Sequence, residues 1–192
     1  MLLENVTIGF GITASYCTHN SVLPYIKILI KEGAQVIPVM TYNSYNVDTR
    51  FGTAKDFIEQ VETMCKRKII TTIVDAEPIG PKNTLDLMLV APCTGNTLGK
   101  IANGITDTSV TMACKAQLRN LKPVLLAIST NDGLSMNAKN LGMLLNSRNI
   151  YFVPFGQDDP IKKCNSLIAK MDMLLPSIQN ALKGRQIQPI LI

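Results

Sequence analysis

The stretch DLMLVAPCTGNT, residues 86–97, decides the fold of this chain. Residues 86–91 are almost wholly apolar, which is typical of a strand inside a parallel sheet that is covered on both faces. The residues that follow, 92–97, are mostly small and polar. The pattern predicts a buried strand that ends in a polar loop, and it favours an α/β fold.

Similar apolar runs alternate with amphipathic segments along the rest of the chain. Further strands are predicted at residues 6–10, 35–40, 69–74, 124–129 and 150–155. Apolar residues at helical spacing predict helices between them, and the clearest pattern runs from Leu167 to Leu182, with Pro176 as a candidate kink. This alternation predicts three layers, a parallel sheet with helices on both faces, in a single domain over residues 1–192.

The composition excludes several classes of protein. Apolar residues make up 46% of the 192 residues, so the chain can bury a core and is not disordered. The net charge is +5, but the basic residues are scattered and no aromatic residues are interleaved with them, which argues against nucleic-acid binding. The longest uncharged stretch, residues 5–26, is too polar for a membrane span and lacks the basic start of a signal peptide. We therefore expect a cytoplasmic protein.

The cysteines predict no metal site. Cys17, Cys65, Cys93, Cys114 and Cys164 form no Cys-x-x-Cys pair, and the single histidine cannot complete a Cys/His zinc set. Reduced thiols in a cytosolic protein are the simplest interpretation. We interpret Cys93 as a small packing residue because no base accompanies it.

Ligands of parallel sheets bind beyond the carboxyl ends of the strands, and this rule selects the loops at residues 9–19, 41–46, 75–81, 91–97 and 129–137. The first loop, GFGITAS at residues 9–15, opens a helix whose backbone N–H groups suit an anion. Gly11, Thr13 and Ser15 are candidate phosphate-binding residues, and a tight turn with a helix cap is the alternative. The loop is not a dinucleotide fingerprint, because Ala14 occupies the third glycine position and no acidic residue ends the second strand.

Two further loops carry candidate binding residues. Thr41 and Asn43 follow the second strand and suit a ribityl chain or a phosphate, although they also suit an ordinary turn. Thr94, Asn96 and Thr97 follow the strand at residues 86–91, where amide groups suit a planar heterocycle; a helix cap at Thr97 is the alternative. We expect these loops to converge with the first on one pocket.

The fifth loop and the single histidine complete the candidates. Asn137 and Lys139 are candidate substrate residues, since Lys139 can pair with a carboxylate; a solvated helix lysine is the alternative. His19 is a candidate proton shuttle, with a surface or capping role as the alternative. No residue is assigned as catalytic.

The motifs GITAS at residues 11–15, the loop at Thr41, and APCTGNT followed by Lys100 and residues 102–104 resemble the homo-oligomeric flavin-containing cysteine decarboxylase superfamily. Its members carry a Gly-x-Thr-Gly-Ser turn and a Pro-Ala-Ser-Ala-Asn-Thr loop. The resemblance implies a flavoprotein-type, Rossmann-like fold and a trimeric homo-oligomer, which the low share of charged residues, 17%, also favours. It implies FMN as the candidate cofactor, with these binding residues: Gly11, Thr13, Ser15, Thr41, Asn43, Thr94, Asn96 and Thr97.

A narrower resemblance covers nearly the whole chain. The stretches RFG at 50–52, AEPIGPK at 76–82, ISTND at 128–132, NIYFVPFGQDDP at 149–160 and NSLIAKMD at 165–172 resemble the B subunits of bacterial dipicolinate synthase. That family implies the mother cell of a sporulating bacterium and a partner A subunit that binds NADP. Together the subunits oxidise a dihydrodipicolinate-level intermediate to dipicolinate, a small flat dicarboxylate. Such a ligand needs cations or helix N-termini, and Arg50, Lys100 and Lys139 lie near the amide-rich loops in sequence.

Two departures from the wider superfamily restrict the activity. The decarboxylases place a catalytic histidine after the third strand, whereas residues 75–80 contain none. The prenylating relatives carry an arginine after the fifth strand, where Ser129, Thr130 and Asn131 stand here. Neither decarboxylation of cysteine derivatives nor prenylation is expected. Two alternatives stay open: a self-sufficient FMN-dependent, decarboxylase-like enzyme, and a non-catalytic scaffold subunit that has kept the fold and lost flavin.

Overall fold

Seven strands form one sheet in a computed structural model of the protein, which describes residues 1–192. The strands are β1 Thr7–Ile12, β2 Gln35–Met40, β3 Leu87–Cys93, β4 Val124–Thr130, β5 Ile150–Phe152, β6 Phe155–Asp159 and β7 Lys163–Ala169. The helices are α1 Tyr16–Lys31, α2 Tyr42–Asn46, α3 Ala54–Cys65, α4 Ile73–Ala76, α5 Gly95–Ala102, α6 Ser109–Arg119, α7 Ala138–Leu145 and α8 Leu174–Leu182. The predicted α/β fold is therefore confirmed.

The sheet is mostly parallel, with one antiparallel corner. Its strand order is β2-β1-β3-β4-β7-β6, and β5 also pairs with β4. The first half of β4 pairs in parallel with β5, whereas its last two residues, Ser129 and Thr130, pair antiparallel with β7. Strands β6 and β7 form an antiparallel hairpin. The predicted parallel sheet thus carries one antiparallel corner, formed by β6, β7 and the end of β4.

Helices cover both faces, as three layers require. Strand β3 is buried along its whole length. Alternate residues of β3 belong to two separate hydrophobic clusters: Leu87 and Leu89 face one cluster, Met88 and Val90 the other. The first cluster includes side chains from α1, α3 and α8, and the second includes side chains from α5, α6 and α7. A strand that is buried on both faces explains why residues 86–91 are continuously apolar.

The prediction of a strand at residues 69–74 is wrong. Only Ile70 forms a single bridge, to Val39, and the chain then enters α4. The side chain of Thr72 accepts a hydrogen bond from the backbone N–H of Asp75, which caps this short helix. Local capping outweighs the β propensity of the Ile and Thr residues here.

The predicted start of the last helix, at Leu167, is also wrong. Residues 167–169 belong to β7, and α8 begins only at Leu174. Leu167 is buried and Ile168 is half-buried, and both pair with β4 and β6, a long-range arrangement that helical spacing does not reveal. Pro176 lies in the first turn of α8, where its missing N–H has no helical partner to lose, so the expected kink has no cause.

The strand predicted at residues 150–155 is two strands. Strand β5 ends at Phe152 and β6 begins at Phe155. Pro154 lies between them and offers no backbone N–H for a sheet. The side-chain amide of Gln186 bonds the backbone N–H and the carbonyl of Phe152, each at 2.8 Å, and thereby pairs the free side of β5.

Candidate functional site

A cleft of about 660 Å³ opens where strands β1, β3 and β4 end. Its size lies within the range of small-molecule sites, roughly 300–1,000 Å³. The carboxyl ends of the parallel strands form its floor, and the β6–β7 hairpin forms one wall. Its lining side chains are mostly polar: Ser15, Cys17, Thr18, Arg50, Thr94, Asn96, Ser129, Thr130, Asn131, Asp132, Asp158, Lys163 and Ser166.

Thr13 joins the first and fourth loops beneath this cleft. Its hydroxyl donates to the carbonyl of Pro92 at 2.7 Å and accepts from the backbone N–H of Thr94 at 3.0 Å. The residue is 1% exposed. Both hydrogen-bonding capacities of the hydroxyl are thus used inside the protein, and Thr13 holds the two loops together.

Ser15 begins a group of three hydroxyls at the start of α1. Its Oγ lies 2.9 Å from the Oγ of Ser129 and accepts from the Thr18 hydroxyl at 2.6 Å. The backbone N–H groups of Tyr16 and Cys17 make no hydrogen bond within the chain. Free N–H groups at a helix start carry partial positive charge and attract anions. This end of the cleft therefore suits a phosphate or a carboxylate.

The fourth loop brings a second helix start to the same cleft. Thr94 caps α5, because its hydroxyl accepts from the backbone N–H of Thr97 at 3.3 Å. Thr97 itself is 3% exposed and bonds only Thr94. Asn96 is exposed at the cleft, and its backbone N–H has no partner in the chain. The helix cap, considered at Thr97 as the alternative to a binding role, lies at Thr94.

A buried polar network lies behind α5. Asp132 accepts hydrogen bonds from the Thr130 hydroxyl and, at 2.8 Å, from the side-chain amide of Asn137. Asn137 in turn accepts from Asn140 at 2.8 Å. A Cβ added to Gly95 would lie 2.6 Å from the Asp132 carboxylate and 2.7 Å from the Asn137 amide. The glycine is needed for this close approach of α5 to the loop after β4.

The predicted binding residues thus divide. Ser15, Thr94 and Asn96 lie together on the cleft, as expected from the first and fourth loops. The others are placed elsewhere: Gly11, Thr13, Thr41, Asn43, Thr97, Asn137 and Lys139 do not line it.

The structure gives the outlying residues other surroundings. A Cβ on Gly11 would meet the Met88 side chain at 2.7 Å inside the sheet packing. The Thr41 hydroxyl lies 3.0 Å from that of Ser44, and the carbonyl of Asn43 accepts from the Tyr16 hydroxyl at 3.0 Å. Neither Thr41 nor Asn43 lines the cleft, but Asn43 contacts Tyr16, which does.

Three cations, Arg50, Lys100 and Lys139, lie near the loops in sequence, and of these only Arg50 lines the cleft. Lys100 pairs with Asp107 at 2.8 Å on the surface, and Lys139 is exposed on α7 outside the cleft. Arg50 does line the cleft, and its guanidinium lies 4.9 Å from the ring centroid of Phe51. Lys163 is a second cleft cation, and it pairs with Asp158 at 2.7 Å.

Lys163 and Ser166 are cleft residues that the sequence analysis does not identify, because it predicts no strand between residues 155 and 167. The signal that identifies the hairpin is the turn-forming stretch Asp158-Asp159-Pro160 between two short apolar runs. With that turn recognised, the residues that follow it are expected on a strand.

His19 is buried below the first loop. Its Nε2 lies 2.9 Å from the carbonyl of Thr13, and its ring stacks on Phe57 at 4.6 Å between centroids. A carbonyl only accepts, so Nε2 carries the proton and donates. Burial lowers the pKa of His19, and the bond to Thr13 partly offsets this effect. The side chain is neutral at pH 7 and supports the loop from outside the cleft.

The buried thiols are held in the protonated form. Burial raises the pKa of Cys93 strongly and that of Cys114 to about 12. A thiol with so high a pKa is a poor nucleophile, so Cys93 acts in packing. No group of three His, Cys, Asp or Glu side chains is arranged to hold a metal ion, and no helix is long and apolar enough to cross a membrane.

Comparison with known proteins agrees with the fold. The flavoprotein family model matches residues 2–183. The B subunit of dipicolinate synthase from Bacillus subtilis (strain 168) is 50% identical over 190 residues, which are 99% of this chain and 95% of the relative.

Solved structures give the same result. The crystal structure of the dipicolinate synthase B subunit from Bacillus halodurans matches with a TM-score of 0.92 and 46% identity, over 100% of this chain and 98% of that one. An FMN-dependent cysteine decarboxylase matches with a TM-score of 0.66 over 94% of this chain and 97% of that one; at 18% identity it shows a shared fold. The chain therefore belongs to the flavoprotein family and, within it, to the dipicolinate synthase B subunits.

Proposed function

We propose that this chain is the B subunit of a dipicolinate synthase and acts with an NADP-binding A subunit in the mother cell during sporulation. The complex oxidises a dihydrodipicolinate-level intermediate to dipicolinate. The observation that carries the proposal is the 50% identity with the Bacillus subtilis B subunit along 99% of this chain.

The division of labour follows from what the chain contains. Oxidation of the dihydropyridine ring removes a hydride, which reduces NADP, and a proton. The first loop departs from the dinucleotide fingerprint at Ala14, so the nicotinamide is assigned to the partner subunit. This chain supplies hydroxyls, the Asn96 amide and two helix starts in one cleft. Its role is to complete and shape the dicarboxylate site.

The cleft also fits the phosphate end of FMN, the cofactor that the family implies. Ser15, Thr18 and Ser129 present hydroxyls beside the unpaired N–H groups at the start of α1, and this donor set suits a phosphate. Leu167 and Ile168 add apolar surface for a planar ring system. FMN supplies a two-electron carrier when bound.

The structure favours this role over a self-sufficient decarboxylase. None of residues 76–80 lines the cleft, and none is a histidine. The single histidine, His19, is buried and donates to Thr13. No histidine therefore reaches the cleft to act as a general acid or base, a contribution worth roughly 10²–10⁴-fold in rate.

Reconstitution tests the assignment. Purified chain is mixed with purified A subunit, freshly generated dihydrodipicolinate and NADP, and the absorbance of reduced nicotinamide is followed. We expect the mixture to be much faster than the A subunit alone. If the A subunit alone reaches the rate of the mixture, this chain is not an essential subunit.

The flavin is tested separately. The chain is incubated with FMN and desalted, and its visible spectrum is recorded. We expect a yellow protein, and a colourless one contradicts FMN binding and favours the scaffold alternative.

We also propose a homo-oligomer. Large apolar side chains are exposed on the surface, among them Leu121, Met136 and Ile161, and only 17% of all residues are charged. Light scattering at micromolar concentration is expected to give a multiple of 21.0 kDa, and a clean monomer contradicts the proposal.

A further inference from the structure

The cleft contains four formal charges, and their pairing is uneven. Asp132 is bound by Thr130 and Asn137, and Asp158 pairs with Lys163. Arg50 has no carboxylate within ion-pair distance. It is therefore the one cleft cation whose charge no other side chain neutralises.

Arg50 is held beside an aromatic surface. Its guanidinium lies over the ring of Phe51, and Phe51 is 45% exposed where it lines the cleft. A guanidinium next to an exposed aromatic ring suits a ligand that combines a carboxylate with a flat ring, because the fork of N–H groups matches a carboxylate while the rings stack.

Lys163 approaches from the other side of the cleft. Arg50 follows β2 and α2, and Lys163 begins β7, and the strand order places β2 and β7 on opposite sides of β1, β3 and β4. The hydrogen bond and the charge of Asp158 raise the pKa of Lys163, so its ammonium group stays charged, and Cys17 in the first turn of α1 lines the same cleft.

We infer that Arg50 and Lys163 are the specificity-determining residues for a planar aromatic dicarboxylate, each binding one carboxylate. Arg50 is free to bind, whereas Lys163 exchanges Asp158 for the ligand. This inference rests on the proposed function, and it assigns the recognition of the two carboxylates to particular side chains of this chain.

The pairing of Lys163 with Asp158 gives a stringent test, because substitutions of the two residues are expected to change the affinity for dipicolinate in opposite directions. Lys163→Gln removes the cation and weakens binding of dipicolinate. Asp158→Asn removes the competing carboxylate and tightens it. Lys162→Gln is the matched control, since Lys162 is adjacent and exposed but does not line the cleft.

Calorimetry on the full chain tests these effects with dipicolinate and with picolinate, which has one carboxylate. Arg50→Gln and Lys163→Gln are expected to raise the Kd for dipicolinate about tenfold, as the loss of a charge-assisted hydrogen bond does. Each is expected to reduce the preference for dipicolinate over picolinate. Lys162→Gln is expected to leave the Kd within about twofold of the wild type.

Three results overturn the inference. The first is equal binding of dipicolinate by Arg50→Gln, Lys163→Gln and the wild type. The second is no binding by the wild type. The third is a loss of FMN affinity in Arg50→Gln with dipicolinate affinity intact, which assigns Arg50 to the flavin phosphate. Circular dichroism spectra identical to the wild type show that the variants are folded.

Failure of the proposed function looks different. If the wild type binds dipicolinate through Arg50 but does not raise the rate of the A subunit, the inference about the binding site is correct and the assignment as a synthase subunit is wrong. If the mixture forms dipicolinate and the variants bind as the wild type does, the assignment stands and the inference falls.

Discussion

Two layers of polar residues lie at the same edge of the sheet, and they differ in how deeply they are buried. The inner layer, Thr13, Thr97, Asn137 and Asn140, is at least 92% buried and bonds within the protein. The outer layer includes Ser15, Asn96 and Ser129 and faces the cleft. Residue type and loop position are alike in the two layers. Burial is what distinguishes the residues that hold the loops from those that face the cleft.

The largest effect is expected in the inner layer at Thr13. Thr13→Val keeps the shape but leaves the carbonyl of Pro92 and the N–H of Thr94 without their partner. Buried groups that lose a partner cost roughly 1–3 kcal/mol each, so we expect a loss of about 3 kcal/mol in the free energy of unfolding by urea denaturation. Thr13→Ser keeps the hydroxyl and is the control. A loss below about 1 kcal/mol would show that Thr13 is not part of the inner layer.

A somewhat smaller effect is expected from Gly95→Ala. The added methyl group overlaps the carboxylate of Asp132 and the amide of Asn137, and such overpacking costs about 1–3 kcal/mol. Gly142→Ala is a matched control, because that helical glycine is exposed and its Cβ would meet nothing within 4 Å. It is expected to stabilise the protein by about 0.5–1 kcal/mol. Equal effects of the two substitutions in thermal melts would contradict the close packing at Gly95.

A smaller effect on the free energy of unfolding is expected when the pH is lowered and His19 becomes protonated. Burial lowers its pKa in the folded state, so the unfolded chain binds a proton first as the pH falls. The stability that the neutral His19 side chain contributes is fully present above its pKa in the unfolded chain, about 6.5. This stability is lost as the pH falls from there through the pKa of His19 in the folded protein. The bond to Thr13 offsets part of the shift, which limits the loss.

The check compares the pH dependence of unfolding for the wild type and His19→Phe, which retains the stack on Phe57 and cannot titrate. The difference between the two free energies is expected to be constant above pH 7 and to change below about pH 6.5 in favour of the variant. A constant difference down to pH 5 would mean that the imidazole is not held neutral.

The smallest effect on stability is expected in the outer layer. Asn96→Ala is expected to change the free energy of unfolding by less than about 0.5 kcal/mol, since the side chain is exposed, and to lower dipicolinate formation with the A subunit about tenfold. Lys139→Ala is the matched control outside the cleft and is expected to leave both quantities unchanged. If Lys139→Ala lowers the rate of dipicolinate formation and Asn96→Ala does not, the substrate site lies at α7 and not in the cleft.

The sequence is most informative where one local pattern has one explanation. Residues 86–91 are apolar because both faces of β3 are buried, so the strand and its loop could be predicted, and with them the position of Asn96. The different fates of Thr13 and Ser15 could not be predicted. Both are hydroxyl residues of one loop, and it is Thr13 that bonds the Pro92 carbonyl, a contact between segments far apart in sequence.

The hairpin shows a second limit. Leu167 and Ile168 fit the helical spacing of residues 167–182, yet their partners are Ser129 and Thr130, which are distant in sequence. Pairing of this kind overrides local periodicity. A turn signal can place Lys163 on a strand, but its position in the cleft depends on the pairing of β7 with β4, which no local pattern shows.

The bonds of Thr13 also set an order of events during folding. They join segments 79 and 81 residues apart, whereas Gln157 pairs with Leu167 across a short hairpin. Contacts between distant segments form slowly, while a hairpin closes in about 1–10 μs. We therefore expect the hairpin wall to form before the floor, which is completed only when β1 and β3 have met. We expect a refolding chain to regain ligand binding later than its hairpin.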